Sequence, residues 1–411
     1  MRDTELYHHL LGLKEPWTVG RVELDVAGQR VDLWVEHPKG KKWPCPMCHS
    51  EYSLYDHGEE RTWRHLDSCQ FQTFLHGRPP RVNCPDHGVR QTSLPWAEPN
   101  SRFTLLFERF AIDVLKRTSV QAARMILRIS WDEAWLLMAR AVKRGGQRKT
   151  ARDIARLGVD EKSAGRGQNN YVTVVSDLEL GTVEDVIEGR SSGSLEGYFK
   201  GMTPEQLAAV DAVSMDMAKP YISAVEKTFS NGREKIVFDR FHLMKHVGEA
   251  VDAVRREEHQ LLKQTDASVL KGTRYLWLYS RENLPSRYWD QFWRLRASDL
   301  KTARAWAIKE NIRRLWSYTS QAWAEKHWRK WYFWATHSRL EPIKVAAKTL
   351  KNHLYGIMNF FRHRITNAMA EGINSRIETL WKAACGYRNK ARFRIAILFH
   401  LGGLNLYPHT H

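Results

Sequence analysis

Three carboxylates have the types and settings that metal-assisted cutting of a phosphodiester requires. Asp160 ends the apolar run Leu157-Gly158-Val159, and Asp216 ends Ala212-Val213-Ser214-Met215. Glu371 lies far downstream in a run of helical character, Ala368-Met369-Ala370-Glu371-Gly372-Ile373-Asn374-Ser375-Arg376-Ile377. Two acids at strand ends and a third on a late helix can converge on Mg2+ (or Mn2+), a hard cation that takes oxygen ligands. A pair of such ions clamps the attacking and leaving oxygens of the scissile bond. An acid after a hydrophobic strand is common, so the three together carry the reading. Asp239 and His242, in Phe238-Asp239-Arg240-Phe241-His242, lie one helical turn apart and can reach the same cleft. There they orient the scissile phosphate or hold a metal-ligating carboxylate in place; an Asp that caps a helix start accounts for Asp239 equally well.

The elements that must position these groups are an alternation of strands and helices. Apolar runs predict strands at 157–160, 171–178, 182–188, 212–215 and 235–238, with helix at 194–199 and 204–210. Three hairpin-like strands, a crossover helix and two more strands is the ribonuclease-H-like order, and open sheets of this kind build sites at strand ends. On the last of these elements, Ile365, Met369, Ile373, Ile377 and Leu380 form an apolar stripe against the sheet. Glu371 sits at its edge, with Asn374 one turn later on the same side. Between Asp239 and Glu371, residues 255–345 hold nine of the 17 tryptophans, interleaved with Arg and Lys. Most should fill the core of an all-helical insertion; a minority suit stacking on unpaired bases.

Upstream, residues 1–40 read as a short helix and two strands, 21–26 and 30–36. Cys45-Pro46-Met47-Cys48 and Cys84-Pro85-Asp86-His87-Gly88 then form two knuckles. Cys45, Cys48, Cys84 and His87 supply the four soft ligands of a tetrahedral structural Zn2+, with no open position for water. Cys69 is the rival ligand but lacks a paired neighbour, and reads as a buried or free thiol. His49, His57, His65 and His76 read as ordinary polar positions.

From 102 to 145 the pattern is helical. Phe103, Leu106, Phe107, Phe110, Val114 and Leu115 mark one amphipathic helix. Ser119 caps a second at 120–127 with Ala122, Ala123 and Ile126 inward, and Ser130 caps a third at 131–143 with Ala134, Trp135, Met138 and Val142 inward. Short helix, turn and longer helix is the arrangement of a helix-turn-helix, and the basic run 143–149 reads as the linker that follows.

Composition agrees with a nucleic-acid partner. The 411 residues carry a formal charge of +18, spread along the chain, which suits a polyanion bound with strong salt dependence. No run of about 18 apolar residues exists to span a membrane, and the N-terminus is too polar for a secretory signal. Five cysteines, two of them in Cys-x-x-Cys, fit a reducing cytoplasm better than a disulfide framework.

Together the chain resembles bacterial insertion-sequence transposases of the DDE class, in the ISL-three family. The resemblance is carried in order by Cys45-Pro46-Met47-Cys48, Arg61-Thr62-Trp63-Arg64-His65-Leu66-Asp67, Cys84-Pro85-Asp86-His87-Gly88, Val159-Asp160-Glu161, Met215-Asp216-Met217, Phe238-Asp239-Arg240-Phe241-His242, Glu371-Gly372-Ile373-Asn374-Ser375 and Gly386-Tyr387-Arg388-Asn389 with Phe393-Arg394. It implies a multidomain α+β chain: an N-terminal zinc-binding β module at 1–95 and a helix-turn-helix domain at 96–150. A ribonuclease-H-like α/β catalytic core follows at 151–254, with an all-helical insertion at 255–345 and the core's C-terminal helices at 346–411. It further implies Asp160, Asp216 and Glu371 as the catalytic metal trio, zinc on Cys45, Cys48, Cys84 and His87, and Mg2+-dependent strand cleavage and strand transfer. The partners implied are double-stranded DNA, as terminal inverted repeats and target, and a second copy of the chain, in a cytoplasmic, nucleoid-associated setting. A DNA-binding regulator without catalysis leaves some 250 downstream residues unexplained. A ribonuclease-H-like structure-specific nuclease needs no second end-reading module.

Overall fold

Between Arg30 and Glu36 the alternate residues Val31, Leu33 and Val35 are buried, the period-two pattern of a strand with one covered face. In the computed structural model, which describes residues 2–165, 170–264, 269–365 and 368–409, this strand belongs to the first of two units. That unit comprises residues 1–149 and 404–411, and the second residues 150–403.

The first unit opens with helix α1 (Asp3–Leu10) and strands β1 (Thr18–Asp25) and β2 (Arg30–Glu36). With β5 (Arg61–Arg64) and β6 (Gln72–Gly77) these form a sheet of order β1-β2-β6-β5. A second sheet, β3-β4-β7-β8, joins β3 (Lys42–Pro44), β4 (Glu51–His57), β7 (Pro80–Cys84) and β8 (Gly88–Gln91). Trp17, Trp43, Trp63 and Trp96 are all buried in their shared core, and the Trp17 ring lies 4.7 Å from Trp96 and 5.1 Å from Trp43, centroid to centroid.

Three helices follow: α2 (Leu105–Arg117), α3 (Val120–Leu127) and α4 (Trp131–Arg148). Thr104, Ser119 and Ser130 accept from the amides of Phe107, Ala122 and Glu133, so each helix starts at a hydroxyl cap. The inward face of α4 is as the spacing predicts, but Phe110 and Ile126 are exposed at 47% and 55%. Phe107 and Leu115 of α2 and Ala123 of α3 are buried as expected, but the packed faces are completed by Leu105, Ala111 and Ile112 on α2 and Leu127 on α3. The basic run expected as a linker is the helical end of α4. A Cβ at Gly145 would stand 2.7 Å from that of Leu404, so glycine lets the 404–411 tail close on α4.

The stretch Arg61–Asp67 ties the sheets to the helices. The Arg64 amide donates to the Arg102 carbonyl at 2.8 Å, and its own carbonyl accepts from Thr104 at 3.0 Å. Asp67 accepts from Arg64 and from Arg128, the left-handed residue in the turn before α4. Under α4, Glu108 is 1% exposed and accepts from Ser101, Arg140 and Arg144, while Glu98 pairs with the same two arginines. Arg144 also donates to the Leu406 carbonyl at 2.6 Å.

The second unit is built on β9 (Arg156–Ser163), β10 (Tyr171–Asp177), β11 (Thr182–Glu188), β12 (Ala212–Met215) and β13 (Ile236–Phe238), in the order β11-β10-β9-β12-β13. The first three pair antiparallel, and β12 is parallel to both β9 and β13. Every residue of β12 and β13 is buried, as expected for strands covered on both faces. Between β11 and β12 lie α5 (Ser192–Lys200) and α6 (Pro204–Ala209), and between β12 and β13 lie α7 (Lys219–Thr228) and α8 (Gly232–Lys235). After β13 the structure is helical: α9 (Arg240–Lys263), α10 (Arg274–Leu278), α11 (Trp289–Ala297), α12 (Lys301–Arg313), α13 (Gln321–Thr336), α14 (Glu341–Asn352), α15 (Leu354–His363), α16 (Ala368–Ala383) and α17 (Lys390–Leu401). Of the nine tryptophans at 255–345, Trp277, Trp306, Trp328 and Trp331 are buried, Trp293 and Trp316 half-buried, and Trp289, Trp323 and Trp334 exposed. Helix α15 lies directly on β13, since a Cβ at Gly356 would come within 2.4 Å of the Phe238 ring.

Glu108→Ala removes the buried carboxylate shared by the buried Arg144 and the half-buried Arg140, leaving Glu98 to pair with both. The first unit should lose about 3 kcal/mol, measured as a lowered calorimetric transition with the second unit's transition unmoved. Burial acts to raise the pKa of Glu98, but its bond to Arg144 and the charges of Arg144 and Arg140 hold it below the ordinary carboxylate range. Its contribution is therefore present above the ordinary range and is lost as the pH falls through the depressed value, so acid should lower the first unit's transition, and less so in Glu98→Gln.

Candidate active site and metal centre

Pairing register places the acids of the second unit. In the parallel pair β12–β9, Ser214 lies opposite Gly158; two residues on, Asp216 follows the course that brings β9 to Asp160. In the pair β12–β13, Met215 lies opposite Phe238, and the Asp239 amide extends that ladder to the Met215 carbonyl at 2.8 Å. Asp216 and Asp239 thus directly follow β12 and β13, whereas Asp160, expected to end its strand, lies within β9, which runs on to Ser163 because its pairing with β10 continues. The three line one small cavity with His242 and Asn374.

Each carboxylate is held locally. Asp216 accepts from the Ala218 amide at 2.9 Å as the chain turns into α7. Asp239 accepts from the Phe241 amide at 2.6 Å and caps α9, with His242 Nε2 3.9 Å from its other oxygen. Asp160 Oδ2 accepts from Asn374 Nδ2 at 2.5 Å and faces Lys162 Nζ at 3.2 Å. Burial, then the charges of Asp160 and Glu371, push the Asp239 carboxyl above its ordinary range against the Phe241 amide and His242. Burial likewise raises Glu161, helped by Asp216 and Asp160 and opposed by Arg190.

Glu371 stands apart from the first cavity. It is exposed in the first turn of α16, one turn before Asn374, and lines an adjoining larger cavity with Arg240 and Phe241. Its charge reaches Asp239 and Arg240, but Asp160, Asp216 and Glu371 are not drawn within the 4.8 Å that donors of one ion share. Like charge opposes such an approach, and Asp160 is already engaged by Asn374 and Lys162. Asn374 stands on the side of the helix that its spacing predicts, but its bond to Asp160 has no local signature. The period of two along β9, which carries Lys162 to the face of Asp160, is the signal that reveals the lysine.

In the first unit the two knuckles close on each other. Cys45 and Cys48 lie in the turn between β3 and β4, where Cys45 exchanges backbone bonds with Ser50 and His49. Cys84 ends β7, and Gly88, at φ +66°, starts β8. The sulfurs of Cys48 and Cys84 are 3.7 Å apart, and His87 Nδ1 lies 3.3 Å from Cys84 Sγ and 3.9 Å from Cys45 Sγ. A tetrahedral zinc with sulfurs at about 2.3 Å has edges of about 3.8 Å, so the four donors fit Zn2+. Among the described residues, no other group of three or more Cys, His or acidic donors lies within 4.8 Å of one another. Cys69, expected as a buried or free thiol, is free and exposed, because it sits at φ 56° in a turn outside both sheets. His65 contacts Thr104, His57 contacts His37, and His76 contacts Asp32, all away from the four donors. No helix among the described residues is long and apolar enough to cross a membrane.

Comparison with known proteins gives these units a context. Residues 157–397 match the ISL3 transposase family, residues 41–87 the zinc-finger of transposase IS204/IS1001/IS1096/IS1165, and residues 92–142 the helix-turn-helix domain of transposase family ISL3. The chain is 26% identical over 402 residues to the transposase for insertion sequence element IS1001 of Bordetella parapertussis, covering 97% of this chain and 98% of that protein. It is also 26% identical, over 442 aligned positions, to the transposase for insertion sequence element IS1557 of Mycobacterium tuberculosis, covering 100% of this chain and 98% of that protein. Because the transposase match alone takes in residues 157–397 of 411, with zinc-finger and DNA-binding modules matched ahead of it, the chain belongs to the ISL3 family of transposases.

Proposed function

We propose that the chain binds the terminal inverted repeats of its insertion sequence and catalyses metal-dependent strand cleavage and strand transfer on a ribonuclease-H-like core. The observation that carries this reading is the register of β9, β12 and β13, which brings Asp160, within β9, level with Asp216 and Asp239, just past the ends of β12 and β13. The sheet order β11-β10-β9-β12-β13, three antiparallel strands followed by two parallel ones, supports the core assignment.

The donor set is all oxygen, which fits Mg2+ (or Mn2+), and Asp160, Asp216 and Glu371 would hold it. Bound there, the metal would activate the water or 3′-hydroxyl and stabilise the leaving oxygen. Asn374 holds Oδ2 of Asp160, the Glu161 amide donates to Oδ1 at 2.8 Å, and Lys162 offsets charge beside them. Asp239 and His242 act from the neighbouring strand end as positioning groups for the phosphate or the ligands. For Glu371 to join the aspartates, the start of α16 must approach the sheet, and a divalent cation between the carboxylates would offset the repulsion that separates them.

The helix-turn-helix and zinc module would read the terminal repeats by phosphate anchoring and base contacts. Cys45, Cys48, Cys84 and His87 would hold a zinc that organises the β3-β4-β7-β8 sheet and takes no part in the reaction. Joining two ends requires both in one complex, so a homodimer or larger homo-oligomer on DNA is the expected assembly, in a cytoplasmic and nucleoid-associated setting.

Asp160→Asn and Glu371→Gln should each abolish cleavage of end DNA in Mg2+ while end binding, read by gel shift, persists; cleavage by either variant assigns the metal to other residues. Asn374→Ala should lower cleavage by roughly tenfold or more, with partial recovery at raised Mn2+, as for a group that orients a metal ligand. Cys45→Ser should lose bound zinc, read by elemental analysis, and unfold the first unit; full zinc content with intact folding would overturn the ligand set.

A further inference from the structure

A cavity of about 1090 Å3 in the second unit lies beside the aspartate cluster, and of the residues that line it only Glu371 enters the mechanism above. It exceeds the volume of most single small-molecule sites. Its walls come from α9, α10 and α12, the segment just after α12, and the start of α16, and its lining has seven Lys and Arg residues against three carboxylates. Three of the arginines, Arg255, Arg256 and Arg274, surround the one carboxylate of Asp252 at 2.9, 3.5 and 3.5 Å. One negative charge among three positive leaves cationic charge for an anion. Arg240 and Lys245 form no ion pair among the described residues, and burial together with Arg313 makes the charge on Arg240 costly. An anionic partner relieves that cost.

The same walls offer aromatic faces. Arg240 lies 5.1 Å over the half-buried Trp316 ring, and Phe241 is 61% exposed at the cavity. Cations that track phosphates beside rings that take stacked bases are the combination that holds unpaired nucleic acid. A duplex brings its phosphates but keeps its base faces stacked internally, so the rings favour an unpaired strand. Position names which strand: Glu371 lines the cavity, and Arg240 directly follows Asp239 of the adjacent carboxylate site.

We propose that this cavity binds unpaired nucleotides of the DNA strand next to the cut, with Trp316 and Phe241 stacking bases and Arg255, Arg256 and Arg274 holding phosphates. The proposal rests on the proposed function only in taking the aspartate cluster as the place of cutting. Holding an unpaired end there keeps the duplex open at the cut and fixes the strand that must leave or attack.

The test compares, for the full-length protein without added Mg2+, binding of a blunt duplex and of the same duplex with a short unpaired arm carrying 2-aminopurine. The unpaired arm should strengthen binding by roughly tenfold and quench the probe. Trp316→Ala should remove both effects, Trp316→Phe should keep them, and Arg256→Ala with Arg274→Ala should remove the affinity gain. Those two arginine side chains are 67% and 58% exposed, so their removal leaves the core intact, and blunt-duplex affinity should stay within about twofold. Equal binding of the two DNAs by the wild type, or a preference for the arm that survives Trp316→Ala and the arginine changes, overturns the proposal. Asp160→Asn keeps the two readings apart: it should retain the arm preference while losing cleavage, and cleavage by that variant with the preference intact refutes the catalytic assignment alone.

Discussion

Parallel pairing forces like charges together in the second unit. Backbone ladders fix β9, β12 and β13 at the strand spacing of about 4.8 Å, and each ends or carries an aspartate at the same level of the sheet. Carboxylates so placed repel one another, and the chain meets this with donors from its own backbone and side chains: Ala218 for Asp216, Phe241 for Asp239, Asn374 and Lys162 for Asp160. The strands can bear the repulsion because β12 and β13 are wholly buried and β9 contributes Leu157 and Val159 to the same large core. The helical insertion enlarges that core, with Trp277, Trp306, Trp328 and Trp331 inside it.

The first unit solves a different problem. In its second sheet β3 has three residues and β8 four, all four of the latter exposed, too few to hold that sheet by apolar burial alone. Four tryptophans and a four-donor knuckle pair supply the missing constraint. The sheet-to-helix seam depends on side-chain charge, since Asp67 bridges Arg64 to Arg128, and under α4 Arg144 pairs with the buried Glu108 and the half-buried Glu98. Such networks stabilise little against an apolar replacement but are costly to break singly, which suits a seam that must hold one orientation.

Much of this was legible residue by residue. Strand positions at 171–178, 182–188 and 212–215 followed from uninterrupted apolar runs, and Ser119 and Ser130 announced their helices because a hydroxyl cap acts over three residues. The knuckle ligands followed from pairs that local turns bring together. Faces of the short helices were harder: Phe110 and Ile126 fit an apolar period yet lie exposed, because three helices can cover only part of one another and periodicity says nothing of which part. The basic end of α4 reads as a linker because charge marks solvent, while Gly145 and the distant Leu404 meet there.

The sequence by itself determined most strands of the second unit, the helix caps at Ser119 and Ser130, the two knuckles and Asp216 as an acid just past a strand, all consequences of interactions within a few residues. Asp160 lies instead within β9, which runs on to Ser163. Only the tertiary structure decided which acids stand side by side. Asp239 joins Asp160 and Asp216 through sheet order, Asn374 reaches Asp160 across 214 positions of chain, and Glu371 faces the neighbouring basic cavity from its place on α16. Strand register and helix docking are set by the packing of the whole core, and no local pattern around an acid records them.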